Sequence, residues 1–249
     1  MRQFGATAHA YATSEVHRSS ESLDVLLELL ANGPYDRVAD IGTGTGFTAF
    51  AIAPRARVTL AVDPTAQMLD ETRRGAAERG LTDAVRPLRA AAESLPCRDS
   101  ALDAVACRVA AHHFADVAAF LRECARALRP GGRLLMADTS TPEEPWLQAV
   151  MNRWERLRDP SHVWNISPSG WRGALHAAGL VVTAQRIALT PLVFAPWVAR
   201  SRTPSEVAAL VEAEMRSAAP ALRQAFRIEE RPDGLHFAWP TCVTAAVRP

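Results

Sequence analysis

Val38-Ala39-Asp40-Ile41-Gly42-Thr43-Gly44-Thr45-Gly46-Phe47 is the stretch whose reading decides the fold. Arg37 to Ile41 has the look of a short buried strand, glycines follow at alternate positions, and Thr48 to Ala53 reads as a helix. Gly42 and Gly44 permit a turn tight enough for a ligand to touch backbone, and the helix start beyond it presents free N–H groups. The spacing is G-x-G-x-G. A dinucleotide fingerprint needs G-x-G-x-x-G, hence glycine at position 47, where phenylalanine stands. That motif sets a helix against a pyrophosphate. The variant here fits a ligand with an amino-acid tail and no pyrophosphate, such as S-adenosylmethionine. A lone glycine turn also occurs as plain structure, so the neighbouring sequence must decide.

Working outward, Val58 to Val62 forms a second strand that ends at Asp63, 17 residues after Gly46. A carboxylate there can accept both hydroxyls of a ribose, or it can cap the next helix. That helix runs from Pro64 to Arg79, with Gly80 past its end, and Met68 lies in it either against an adenine face or in the core. Residues 84–88, 102–107 and 133–137 read as three further strands, with a helix over 117–128 closed by Pro130-Gly131-Gly132. Residues 21–30 precede all this as an amphipathic helix ended by Gly33-Pro34. Strand–helix alternation predicts an α/β protein: a Rossmann-like, doubly wound, mostly parallel sheet of seven strands, covered on both faces. Residues 180–189 and 235–247 supply the last two strands, with helices at 171–178 and 204–216.

At roughly 150 residues per domain, 249 residues fit one domain with a sizeable insertion. Its expected divisions are an N-terminal helical lid (1–35), a cofactor-binding core (36–138), a substrate cap (139–170) and a C-terminal part completing the sheet (171–249). The cap segment holds three of the six tryptophans and four of the 17 prolines, too aromatic for a linker, and predicts a helix over 146–158. Composition excludes several chemistries. All 28 basic residues are arginine, so a lysine Schiff base, a pyridoxal-phosphate anchor and a phosphate-loop lysine are ruled out. The formal net charge of +1 gives no support to a polyanion-binding surface. Cys97, Cys107, Cys124 and Cys242 form no C-x-x-C pair, which fits free thiols in a reducing cytoplasm. Cys107, His112, His113 and Cys124 match no standard zinc spacing, and no metal site is expected. Met1 to Ala12 shows no signal-peptide core, and no apolar run approaches the ~20 residues of a membrane helix.

Two more stretches complete a set. Ala91-Ala92-Glu93-Ser94-Leu95-Pro96 leads to Asp103 before strand four, and Cys107-Arg108-Val109-Ala110-Ala111-His112-His113-Phe114 follows it. Together with Asp40 to Gly46, Asp63 and Arg129-Pro130-Gly131-Gly132-Arg133-Leu134, these occur in the order and at the distances found in class I S-adenosylmethionine-dependent methyltransferases. The chain resembles the ubiquinone/menaquinone biosynthesis methyltransferases and their bacterial small-molecule relatives from about Tyr11 to Gly179. Arg158-Asp159-Pro160-Ser161-His162-Val163 is similar to uncharacterised bacterial members of that group. As a set the motifs are specific; singly none is. The resemblance implies S-adenosylmethionine as cofactor. It implies that Gly42, Thr43 and Gly44 line the methionine tail and that Asp40 and the backbone at Arg108 meet its ammonium. It places Asp63 on the ribose, Met68 on the adenine, Ala92 and Glu93 at the adenine edge, and Tyr11 over the cofactor. Gly46 and Pro64 complete the cofactor set. Ala91 departs from the pattern, since relatives often carry a polar residue there to meet the adenine amino group.

Methyl transfer from a sulfonium needs alignment and a nucleophile with free electrons, and for an enol, phenol or hydroxyl that means removing a proton. His112 is the expected general base and Arg108 the oxyanion partner, with His113 an alternative base; each has an ordinary structural reading too, as helix cap, core residue or salt-bridge partner of Asp103 or Glu123. Trp146, Trp154, Trp164 and Trp171 can wall an acceptor pocket or simply pack, and His17, Arg158 and His162 can reach polar groups. The leading expectation is methyl transfer to carbon or oxygen of a small aromatic, quinone-like or polyketide-like acceptor by a cytoplasmic monomer or homodimer, with no nucleic acid and no membrane insertion. The alternatives are a cofactor-binding enzyme of this fold with a non-methylating reaction such as cyclisation, a nicotinamide-dependent oxidoreductase, and a non-catalytic binding subunit.

Overall fold

The computed structural model of the protein describes residues 21–30 and 33–249. Five strands, β1 (Tyr35–Ile41), β2 (Ala56–Asp63), β3 (Val85–Arg89), β4 (Leu102–Arg108) and β5 (Leu128–Thr139), run parallel. β6 (Val181–Val193) and β8 (Gly234–Val247) close the sheet, β8 antiparallel to both β5 and β6. The order is β3-β2-β1-β4-β5-β8-β6, and short β7 (Glu229–Arg231) pairs β8 off this path, giving eight strands among the described residues. The seven expected strands are present. The extra one, Glu-Glu-Arg, is exposed along its whole length and carries no apolar alternation to betray it.

The strands alternate as a two-sided core requires. Ala39, Ile41, Val105, Cys107, Leu134 and Met136 face α4 (Val117–Ala127) and α6 (Pro168–Ala177), whose Phe120, Leu121, Trp171 and Leu175 join the same cluster. Val38, Ala104, Ala106, Leu135 and Ala137 face the other way, against Leu26 and Leu30 of α1 (Glu21–Leu30) and Ile52 of α2 (Phe47–Ile52). A third layer covers the outer part of β2, where Ala61 meets α2 and α3 (Ala66–Glu78).

A second apolar centre sits over one end of the sheet. Leu147, Met151 and Trp154, spaced along one face of α5 (Pro145–Arg158), pack with Phe194 and Trp197 of α7 (Phe194–Arg200), Val211 and Met215 of α8 (Ser205–Arg216), Leu222 and Phe226 of α9 (Pro220–Phe226), and Phe237 and Trp239 of β8. Trp154 and Trp239 stack at 6.3 Å, and Phe237 meets Trp239 edge-on at 4.7 Å. The short α7 and α9 went unpredicted: seven residues each, with proline inside or at the start, is too little for a helical period to show. Among the described residues, no helix is long and apolar enough to cross a membrane.

Because β1 pairs with β2 on one side and β4 on the other, the chain reverses its winding between β1 and β4. A crevice opens above their carboxyl ends, where ligands bind in sheets of this kind.

Candidate active site

The floor of the crevice is the glycine turn. Gly42, Gly44 and Gly46 all have positive φ, at 68°, 55° and 93°. A Cβ on Gly42 would stand 2.5 Å from the Cβ of Ala110, so the turn and the segment after β4 meet at a place only glycine fits. A Cβ on Gly44 would meet nothing within 4 Å; here the backbone borders open cavity. The turn is tied to β2 by the N–H of Thr43 on the carbonyl of Val62 at 3.0 Å. Asp63 supports it too, its Oδ2 accepting the N–H of Gly44 at 3.0 Å and its Oδ1 that of Thr65 at 2.8 Å. Burial raises the pKa of Asp63 against the pull of those N–H groups.

Below the turn, Asp40 accepts the Thr43 hydroxyl at 2.6 Å, and burial pushes its carboxyl up to about 7. Arg108 is the charged neighbour that opposes that rise, and its Nε donates to the hydroxyl of Thr48 at 2.8 Å. The two acids expected as salt-bridge partners of Arg108 are engaged elsewhere: Asp103 with Arg129 and Glu123 with Arg126. Just beyond, Val109 has φ 53°, a strained conformation for a β-branched residue, held by its N–H on the carbonyl of Ala137 at 2.7 Å.

The strained step delivers His112 to the crevice. Its Nδ1 donates to Oδ1 of Asp138, at the end of β5, at 2.6 Å, and its backbone N–H donates to Oδ2 of the same carboxylate at 2.8 Å. Nε2 is left for the cavity that His112 lines. Burial would depress this imidazole, yet the charge and hydrogen bond of Asp138 outweigh it, and the pKa lies above the usual value. His113 and His162 stand close, with ring centroids 4.1 and 5.6 Å from that of His112. Burial and the charge of His112 hold both at about 3, so they stay neutral. His113 donates from Nδ1 to the carbonyl of Ser161 at 3.1 Å.

One continuous cavity of about 410 Å³ joins these parts to the cap. Its first end is lined by Gly42, Thr43, Gly44, Asp63, Pro64 and Met68; its far end by Asn165, Thr190, Leu192, Trp197, Trp239 and Thr241. Glu155 and Arg158 lie on the cap side, 3.1 Å apart, with Glu155 accepting the indole N–H of Trp239 at 2.6 Å and the Arg158 guanidinium 5.0 Å from the Trp197 ring centroid.

Residues 39–136 match the family model of a methyltransferase domain. Over 231 residues, 93% of this chain and 91% of the relative, the sequence is 34% identical to a Bacillus subtilis protein named as the uncharacterised methyltransferase YcgJ. The chain belongs to the class I S-adenosylmethionine-dependent methyltransferases. The crystal structure of that B. subtilis protein superposes with a TM-score of 0.86 at 33% identity, covering 91% of this chain and 97% of the other. A putative methyltransferase from Bacillus halodurans gives 0.88 at 28% identity, with 92% and 100% covered. The ubiquinone/menaquinone biosynthesis C-methyltransferase of Bartonella tribocorum is 32% identical over 121 residues, 47% of this chain and 46% of that protein.

As a methyltransferase the protein uses S-adenosyl-L-methionine, and its residues fit that cofactor. The open side of Gly44 leaves room for a ligand against bare backbone, and the Asp63 carboxylate reaches the same cavity. The expected cofactor residues divide. Gly42, Thr43, Gly44, Asp63, Pro64, Met68 and Arg108 line the cavity; Asp40, below the turn, and Gly46, at its end against Phe50 and Thr72, do not, and neither do Ala92 and Glu93. Glu93 instead accepts the N–H of Ala115 at 3.1 Å, behind the cavity-lining Phe114. Tyr11 and His17 fall outside the described residues. His112 and His113 both line the cavity, while His162 sits buried beside it.

None of the four tryptophans expected at an acceptor pocket lines the cavity. Trp146 and Trp164 are 50% and 42% exposed, Trp154 is sealed in the cap and Trp171 in the sheet core. Trp197 and Trp239 take that place. Asn165, Glu155, Thr190 and Thr241 were also missed. They lie on a loop, a helix and two strands, with no shared motif to announce them.

Proposed function

We propose that the protein methylates carbon or oxygen of a small organic acceptor held between the glycine turn and the cap, with His112 as the general base. When bound, S-adenosylmethionine supplies a methyl group already activated on a sulfonium. The protein must align an acceptor and free an electron pair on it. Gly42, Thr43 and Gly44 hold the methionine tail, Asp63 the ribose hydroxyls through the lone pairs its two N–H bonds leave, and Met68 and Pro64 the adenine side. Arg108 serves the tail with Asp40, because its Nε is turned to Thr48 at the start of α2.

The observation that carries the reading is the 2.6 Å bond from His112 Nδ1 to Asp138. It fixes the tautomer, aims Nε2 at the cavity and stabilises the imidazolium formed when Nε2 takes a proton from the acceptor. His113, neutral throughout the working range, is a hydrogen-bonding wall and not a second base. Charge balance supports a small acceptor over nucleic acid, since the chain's formal net charge is only +1.

The test is incubation with methyl-labelled S-adenosylmethionine and a bacterial lysate divided by size into small molecules, RNA and protein. The expected result is S-adenosylhomocysteine together with a labelled small molecule heavier by one CH₂, lost in His112→Ala. Label entering only RNA or protein, or cofactor bound with no S-adenosylhomocysteine released, contradicts the proposal.

A further inference from the structure

Asn165 lines the far end of the cavity and is 1% exposed, yet neither its Oδ1 nor its Nδ2 has a hydrogen-bond partner among the described residues. Buried carboxamides are ordinarily satisfied, and one that is not calls for an explanation. Floppiness does not supply it, because its backbone is pinned. The N–H of Asn165 donates to Oδ1 of Asn152 at 2.6 Å, and its carbonyl accepts from Nδ2 of Asn152 at 3.2 Å. Asn152 is itself satisfied at both ends, accepting from His162 Nε2 at 3.0 Å and donating to the carbonyl of Gln148 at 3.0 Å. On one side of Asn165, the N–H of Val163 donates to the carbonyl of His112 at 2.9 Å; on the other, the carbonyl of Ile166 accepts the Ser140 hydroxyl at 2.7 Å. Helix α5, the base-bearing segment and the end of β5 thus converge to hold one unpaired carboxamide at the cavity wall. Such fixing is what a recognition group requires.

We infer that Asn165 is the specificity-determining residue of the acceptor half, pairing through Nδ2–H and Oδ1 with a carbonyl and an adjacent N–H or O–H on one edge of a planar acceptor. A carboxamide presents one donor and one acceptor side by side, and the group that meets both is a cis-lactam, its hydroxy-imine tautomer, or a hydroxyl next to a carbonyl. Planarity follows from the neighbours: Trp197 and Trp239 line the same cavity with their rings at 79°, two faces of a corner. The inference rests on the cap side being the acceptor half.

The test is calorimetric titration of 2-quinolone and 1-methyl-2-quinolone into the protein with S-adenosylhomocysteine present. In the second probe a methyl group replaces the lactam N–H that would pair. A site built on this pairing binds 2-quinolone about tenfold or more tighter. Asn165→Leu brings the two probes level, and Asn165→Asp, which keeps an acceptor but loses the donor to the carbonyl, weakens 2-quinolone. Should Asn165→Leu fail to fold, the wild-type discrimination and the near-isosteric Asp variant still decide. Equal binding of the probes, discrimination that survives in Asn165→Leu, or no heat from 2-quinolone at its solubility limit overturns the inference. No methyl transfer is needed, so failure here leaves the proposed activity standing. Failure of methyl transfer equally leaves the calorimetric result.

Discussion

The two ends of the cavity are built by different means. The end proposed for the cofactor is built around main chain: a ten-residue stretch whose positive-φ glycines bare the backbone, and one acid, Asp63, that braces the turn and lines the cavity. The end proposed for the acceptor is side chains from distant segments, with His112 after β4, Asp138 on β5, Asn165 beyond α5, Trp197 on α7 and Trp239 on β8. A backbone cradle tolerates little change in its few residues and serves one ligand. A side-chain wall can be rewritten at each position without disturbing the sheet. The contrast predicts that variants at the two ends fail in separable ways.

The largest separation is expected at His112. Its replacement by alanine should lower kcat by about a hundredfold to ten-thousandfold, the range of a lost general base, with cofactor affinity nearly unchanged in the same preparation. Equal turnover would remove it from the mechanism. At the other end, Gly42→Ala forces a Cβ against Ala110 at a φ of 68°. Urea denaturation should show a loss of about 1–3 kcal/mol, the usual cost of overpacking, together with weaker S-adenosylhomocysteine binding; a fully stable variant would mean the turn has slack.

A finer test uses pH. The base must be neutral to act, and Asp138 raises its pKa, so the acid limb of kcat/KM should lie above the ordinary histidine value near 6.5. Activity then rises with pH through that limb. Asp138→Asn removes the raising influence and leaves burial, so the limb should move to lower pH while the maximal rate falls. A limb that does not move would separate Asp138 from the titrating group. The smallest effect is expected at His113, already neutral at about 3. His113→Gln should leave the limb where it is, and a shift would reassign the base.

Legibility in the sequence follows the same division. The sheet could be read because its inner strands carry short apolar runs closed by turn residues, and the glycine turn because backbone geometry demands glycine at fixed spacing. His112 and His113 could be placed because they follow a strand at the carboxyl edge. Asp138 was seen only as the end of strand five: nothing in the sequence pairs it with a histidine 26 residues away, a relation created when β4 and β5 align. Trp197 and Trp239 were hidden for a similar reason. Tryptophans at 146, 154 and 164 cluster in sequence and drew the expectation, but helix α5 turns one of them into the cap core and the other two lie at the surface. Pocket walls depend on how α7 and β8 cross, which no local pattern encodes.

The most direct measurement of the two-ended site is calorimetric titration of S-adenosylhomocysteine into the wild type, Asp63→Ala and His112→Ala. Separable ends require Asp63→Ala to weaken binding about tenfold or more, as expected for lost hydrogen bonds to a charged group, while His112→Ala matches the wild type. Comparable losses in both variants, or a loss confined to His112→Ala, would contradict that division.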